Sequence, residues 1–174
     1  LYAFDTAAHR LEALKERARR AGVQNLRVHS LDDEGTRPIV RLGGKADVVL
    51  IDAPCSGTGV LRRNPDIAWK LREEDVARLV EEQARLLKTY APLVKPGGRL
   101  VYAVCSLLPA EGEKQISRFL REHPEFRRAD AAAILKQSGI SAGYLVSRHD
   151  FVVDPVRHDM DGFFAAVLER GSAR

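Results

Sequence analysis

The stretch DVVLIDAPCSGTG, Asp47 to Gly59, joins the apolar run Val48-Val49-Leu50-Ile51 to a turn that sets Cys55 between Pro54 and Ser56. A near-continuous apolar run closed by Asp52 and the turn residues Pro54 and Gly57 is predicted to be a strand buried on both faces, as in a parallel sheet covered by helices. The second of the two cysteines repeats the pattern in YAVCSLLPAEGE, where Cys105 ends the run Leu100 to Val104 and Ser106 follows it. Two thiols therefore stand at the ends of two predicted strands.

Working outward, Leu1 to Phe4 is a short strand ending at Asp5, and Thr6 is expected to cap a helix with apolar positions at Ala7, Leu11, Leu14, Ala18 and Ala21. Gly22 stops that helix, and Leu26 to Ser30 alternates as a second strand running into Asp32-Asp33. From Arg72 to about Leu93, Val76, Leu79, Val80, Gln83, Leu86, Leu87, Tyr90 and Val94 mark one side of a long helix, closed by Lys95-Pro96-Gly97-Gly98. Pro109 is expected to open another helix, with Glu111 and Glu113 near its positive end. Phe151 to Val153 and Phe163 to Leu168 are short strands separated by a turn at Asp159 to Gly162.

Strands alternating with helices imply an α/β fold with a parallel, doubly wound sheet. In such sheets ligands bind beyond the carboxyl ends of the strands, and four strands here end at Asp5, Asp32, Asp52 and Cys105. Three carboxylates and two thiols are expected along one edge. Acids at the ends of the first two strands suit hydrogen bonds to ribose hydroxyls and a nucleoside amine, although Asp5 serves equally as a cap for the helix after it. A thiol at a strand end before a helix is either an inert buried group or a nucleophile activated by the helix N-terminus; two at equivalent positions favour the second.

Composition narrows the partners. In 174 residues, 28 basic and 24 acidic side chains leave a formal charge of +4, compatible with a polyanionic partner. Arg62-Arg63 adjoin the first thiol turn and are candidates for phosphate contact, whereas Arg17, Arg19, Arg20, Arg127 and Arg128 are expected to be solvated. Trp69 is expected to be a partly buried anchor behind that turn. The five histidines show no metal-like spacing and are expected on the surface or in packing, so no metal is expected. No apolar stretch approaches the roughly 20 residues that span a bilayer, and a cytoplasmic protein with no membrane partner is expected. The cysteines, 50 positions apart and outside any CxxC, do not read as a redox pair. GxGxxG, Walker and HExxH patterns are absent from the sequence, and nothing in it signals an oligomeric state.

VVLIDAPCSGTGVLRRNPDIAWK, GGRLVYAVCSLLPAEGEKQI and DGFFAAVLER, in that order, resemble the Sun-type bacterial RNA (cytosine-5)-methyltransferases over nearly the whole chain. The resemblance implies a Rossmann-like class I methyltransferase fold with an antiparallel C-terminal strand, S-adenosylmethionine as cofactor, and RNA as partner, above all small-subunit ribosomal RNA. It implies Cys105 as nucleophile, Cys55 as helper in product release, and Asp52 between cofactor and target base, with Pro54 shaping the loop. It also implies Asp5 at the cofactor ribose and Asp32, or its neighbour Asp33, near the adenine. Asp161 to Phe164 match the family's C-terminal motif, and Val104 stands where the family usually carries threonine. By the same comparison the chain starts at the family's second strand. Residues 1–174 are thus expected to be the C-terminal part of a single catalytic domain, lacking the first strand and its glycine-rich loop, with weak cofactor binding on their own. Two other readings are a non-catalytic RNA-binding or assembly module that keeps the fold, and a thiol redox protein.

Overall fold

Tyr2–Asp5 forms β1, Ala8–Arg20 forms α1 and Arg27–Ser30 forms β2 in the computed structural model of the chain, which describes residues 1–31, 39 and 41–172. Asp32 and Asp33 lie outside the described residues. Strands β1 and β2 pair in parallel, with Ala3 opposite Val28, as two strands bridged by a helix must. Thr6 does not cap α1: Ala7 holds the cap position, and the Ala7 N–H donates to Asp5 Oδ1 at 2.7 Å. An Asp side chain reaches the backbone two residues on, so it supplies the bond from one position earlier than expected. The last turn of α1 carries Arg17, Arg19 and Arg20, whose charge suits the negative end of the helix. These elements belong to a compact unit spanning Leu1–Gly43.

A second unit, Gly44–Arg174, contains the rest. Its elements include β3 (Ala46–Asp52), a 3-10 turn (Thr58–Val60), α2 (Ile67–Lys70), α3 (Glu73–Tyr90), β4 (Val94–Val104), α4 (Glu113–Glu122), β5 (Phe126–Arg128), α5 (Ala131–Gln137), β6 (Val146–Ser147), β7 (Asp150–Val153), α6 (Pro155–His158) and β8 (Phe163–Arg170). The sheet runs β3-β4-β8-β7-β6, with β5 also pairing β8. Strands β3 and β4 are parallel and joined through α3, while β8 returns antiparallel to β4, placing Ala103 opposite Ala165. The α/β class and the antiparallel C-terminal strand agree with the sequence. The balance of pairing differs: β5 and β7 join β8 antiparallel, and β6 and β7 form a hairpin, so this sheet is mixed rather than mostly parallel. Only the β6–β7 connection is a tight hairpin, two residues long, which fixes that pair as antiparallel.

Alternation explains the core. Leu100, Tyr102 and Val104 of β4 and Phe164, Ala166 and Leu168 of β8 are buried, and they pack with Leu87 of α3 and Ile116 and Phe119 of α4. Every second residue of these strands faces the helices, as a period of two requires. Strand β4 begins earlier than predicted because Pro96-Gly97-Gly98 stays in the ladder across a register shift. A side chain at position 98 would stand 2.9 Å from the Asp47 carbonyl oxygen, so only glycine lets the two backbones approach.

Two expectations fail. Strand β3 is not buried on both faces: Val49 and Ile51 point to the core, while Val48 and Leu50 are 58% and 66% exposed. Among the described residues β3 has one sheet neighbour, β4. An apolar sequence records a tendency to be covered, and here no described element covers that face. Trp69 is 91% exposed rather than partly buried. Helix α2 is a single turn whose Ile67 faces the Gly57 turn, where an added Cβ would meet Ile67 Cδ1 at 3.1 Å. Residues two apart on a helix point to different sides, so Trp69 faces outward.

Candidate active site

Parallel pairing of β3 with β4 sets Asp52 opposite Ala103 at the carboxyl ends of both strands, and the two cysteine turns leave from there. The Ala53 N–H still bonds the Ala103 carbonyl at 3.0 Å before the first turn peels away. Cys55 and Cys105, 50 residues apart in sequence, come together with their sulfur atoms 3.4 Å apart and both side chains partly exposed. Adjacent strands are about 4.8 Å apart, so thiols just past equivalent ends can meet. Asp52 lies exposed three residues before Cys55.

Behind the sulfurs sits a residue that sequence reasoning assigned only to a helix end. Glu111 is 0% exposed. Its carboxylate accepts hydrogen bonds from Ser56 N–H at 2.9 Å, Ser56 Oγ at 2.6 Å, Ser106 Oγ at 2.5 Å and Gln83 Nε2 at 3.0 Å. Gln83 also donates to the Pro54 carbonyl at 2.9 Å, and the Tyr102 hydroxyl donates to the Glu111 carbonyl at 2.7 Å. Because residue 111 is drawn inward, α4 begins at Glu113 and not at Pro109. One signal was present in the sequence: Gln83 stands on the apolar side of α3, and a buried amide needs polar partners.

Two further contacts lace the site together. Gly59 N–H donates to the Cys105 carbonyl at 3.0 Å, and Gly162 N–H donates to the Gly59 carbonyl at 2.7 Å. A Cβ on Gly59 would stand 2.0 Å from the Gly162 carbonyl oxygen. Arg62 pairs with Asp159 at 2.8 Å and Arg63 pairs with Asp161, joining the first cysteine turn to the C-terminal motif. These guanidinium groups remain largely exposed, with 59% and 74% of their side-chain surface open.

Burial pushes the Cys55 thiol up to about 12. Burial outweighs the Gly57 N–H, which favours the thiolate, and the Cys105 sulfur and the Glu111 carboxylate add smaller contributions to the rise. Cys55 is therefore held as a thiol beside the Cys105 sulfur. In a Cys105→Ser variant, Cys55 alkylation is expected to accelerate about tenfold per pH unit between about pH 7 and about pH 10, following the thiolate fraction. A plateau near the pH of an ordinary thiol would contradict this environment.

Asp52 ends β3 exposed, and Pro54 is fixed by the bond from Gln83. In the first unit the Asp5 carboxylate, 30% exposed, receives the Ala7 N–H and lies 3.9 Å from Arg10, so it acts as a local cap. Only one of its oxygens takes the Ala7 bond. Among the described residues no group of three His, Cys, Asp or Glu side chains could hold a metal ion, and no helix is long and apolar enough to cross a membrane. His123 stacks on Phe119 with ring centroids 4.3 Å apart, and His158 Nδ1 accepts the Asp154 N–H at 2.9 Å, both packing uses.

The sheet is of the Rossmann-like methyltransferase class: it superposes on a methyltransferase homologue from Pyrococcus horikoshii with a TM-score of 0.71 at 28% identity, covering 97% of this chain and 52% of that one. The solved structure of PH0851 superposes with a TM-score of 0.83 at 36% identity, covering 97% of this chain and 36% of that one. The family model described as 16S rRNA methyltransferase RsmB/F matches residues 1–169, and the chain belongs to that family. It is 38% identical over 175 residues to the probable ribosomal RNA small subunit methyltransferase B of Synechocystis, covering 98% of this chain and 37% of the relative. Over 169 residues it is 39% identical to the ribosomal RNA small subunit methyltransferase B of Serratia proteamaculans, covering 95% of this chain and 35% of that protein. The chain thus spans a little over a third of the length of these relatives.

Proposed function

We propose that the protein containing this chain methylates C5 of cytosine in RNA, with small-subunit ribosomal RNA as substrate, in the cytoplasm. The observation that carries the reading is the 3.4 Å approach of the Cys55 and Cys105 sulfurs at the carboxyl edge of the sheet. Family membership supports methyl transfer, and S-adenosylmethionine supplies the methyl group. The expected contacts are Asp5 with its ribose hydroxyls, Asp32 or Asp33 with its adenine, and Asp52 with Pro54 on the side toward the base.

Cytosine C5 is a poor nucleophile. Addition of the Cys105 thiolate to C6 moves an electron pair into the ring and makes C5 an enamine carbon able to take a methyl group. Asp52 stabilises the addition by sharing a proton with N3. A base then takes the C5 proton, the C5–C6 double bond returns, and the C6–S bond breaks with its electron pair going back to the Cys105 sulfur. Cys55 assists that departure as a thiol donor 3.4 Å away. The ring is reached on its face, so the target base is single-stranded or flipped out. Arg62 and Arg63 hold the RNA backbone, exchanging Asp159 and Asp161 for phosphates.

The test uses the full-length protein with substrate RNA and S-adenosylmethionine. On RNA carrying 5-fluorocytidine, whose fluorine replaces the departing C5 proton, wild-type protein is expected to form a stable covalent complex. On natural RNA, Cys55→Ala is expected to accumulate the same complex because its release is slowed. A non-catalytic RNA-binding module or a thiol redox protein would form neither complex, and absence of both would overturn the proposal.

A further inference from the structure

We propose that Glu111 is a positioning residue that holds the Cys55 and Cys105 sulfurs at contact distance, acting through Ser56 and Ser106. The reading of Cys105 as nucleophile underlies only the second arm of the test below. Each serine directly follows one of the cysteines, and both are bound to the same carboxylate: Oε1 takes Ser56 N–H, and Oε2 takes the Ser56 and Ser106 hydroxyls. Consecutive Cα atoms are about 3.8 Å apart, so movement of either serine is passed directly to its cysteine.

Ser56 Oγ lies 2.6 Å from the carboxylate and 3.3 Å from Thr58 Oγ1, and the shorter contact takes its proton toward Glu111. With both serine hydroxyls donating to Glu111, the Thr58 hydroxyl, 3.1 Å from Ser106 Oγ, is left to donate to it. The Leu107 N–H donates to Thr58 Oγ1 at 3.0 Å and the Leu108 N–H to Ser106 Oγ at 3.1 Å. Gln83 reaches the same carboxylate from α3 and the Pro54 carbonyl beside Cys55. The Tyr102 bond fixes the Glu111 main chain, so the side chain cannot follow a displaced turn. Two turns that meet only beyond the ends of their strands are thus registered against one buried group.

Glu111→Gln keeps the size of the side chain and replaces one acceptor oxygen with a donor. In one orientation its amide opposes Ser56 N–H and Gln83; in the other it faces two hydroxyls that must both turn. Sulfur proximity is read on the intact protein with dibromobimane, a short reagent that joins two neighbouring thiols and fluoresces when both have reacted. Its cross-linking of Cys55 to Cys105 is expected to slow about tenfold in Glu111→Gln, in keeping with the sensitivity of reactions to sub-ångström placement. Ser106→Ala, a milder variant, is expected to slow it in the same direction. Leu168→Ala, a core truncation in β8 at a fully buried position, is expected to lower Tm without changing the cross-linking rate.

In the second arm, adduct formation with saturating 5-fluorocytidine RNA is expected to fall about 100-fold in Glu111→Gln, with RNA Kd unchanged within about twofold. Wild-type cross-linking rates in both Glu111→Gln and Ser106→Ala, or an equal loss in Leu168→Ala, would overturn the proposal. So would a loss that appears only in RNA Kd. Failure of the wild-type protein to form an adduct would instead refute the methyltransferase mechanism, while the cross-linking comparison would still decide the role of Glu111.

Discussion

Cys105→Ala is expected to remove the covalent complex with 5-fluorocytidine RNA and to lower methyl transfer on the order of 10⁴-fold or more, the scale seen when a nucleophile is deleted from an intact site. Without sulfur addition at C6 the ring never becomes an enamine, and correct placement of the methyl donor cannot compensate. The fold should tolerate the change, because Cys105 is partly exposed and its carbonyl, not its sulfur, bonds Gly59. RNA affinity and Tm are therefore expected to stay near wild type, separating lost chemistry from lost structure. Cys55 makes a poor substitute, since burial keeps its proton on. Methyl incorporation and gel-shifted complex, measured in single turnover, check the result. A Cys105→Ala variant that still forms the complex, with Cys55→Ala unable to, would exchange the two assignments.

Gly59→Ala is expected to cost about 3 kcal/mol of stability, at the upper end of ordinary overpacking, and to lower Tm by roughly 10 °C. The added methyl would lie 2.0 Å from the Gly162 oxygen, 2.6 Å from its carbonyl carbon and 3.0 Å from the Cys105 oxygen. All three are backbone atoms, so no side-chain rotation relieves the overlap. Parting the strands of contact breaks Gly162 N–H to Gly59 and Gly59 N–H to Cys105 together. Adduct formation is expected to fall about 100-fold in the fraction that stays folded, since Cys105 shifts with its carbonyl. Thermal unfolding and trapping kinetics are the measurements, and wild-type values for both would show that the motif relaxes easily.

Much of this arrangement was legible in the sequence where a rule acts locally. The apolar runs Leu100 to Val104 and Phe163 to Leu168 foretold β4 and β8, and the rule that ligands sit past strand ends placed both cysteines on one edge. Relations between distant segments were not legible. Arg62 and Arg63 find Asp159 and Asp161 across 97 and 98 residues, and no local pattern announces such a pairing. Glu111 reads as a helix-end acid because its real partners arrive from three other segments. Trp69 and the Val48-Leu50 face show the complementary failure: apolar residues reveal what favours cover without revealing whether a neighbour supplies it.

The shared carboxylate has a consequence for how this sequence can drift. Ser56, Gln83, Ser106 and Glu111 meet in a space closed to water, where removing one member strands the polar atoms of the others at a cost of about 1–3 kcal/mol each. Neutral change at any single one of these positions is blocked, although joint replacement is open. Lineages of this fold should therefore inherit the four as a block, and a homologue altered at one should carry a matching alteration at another.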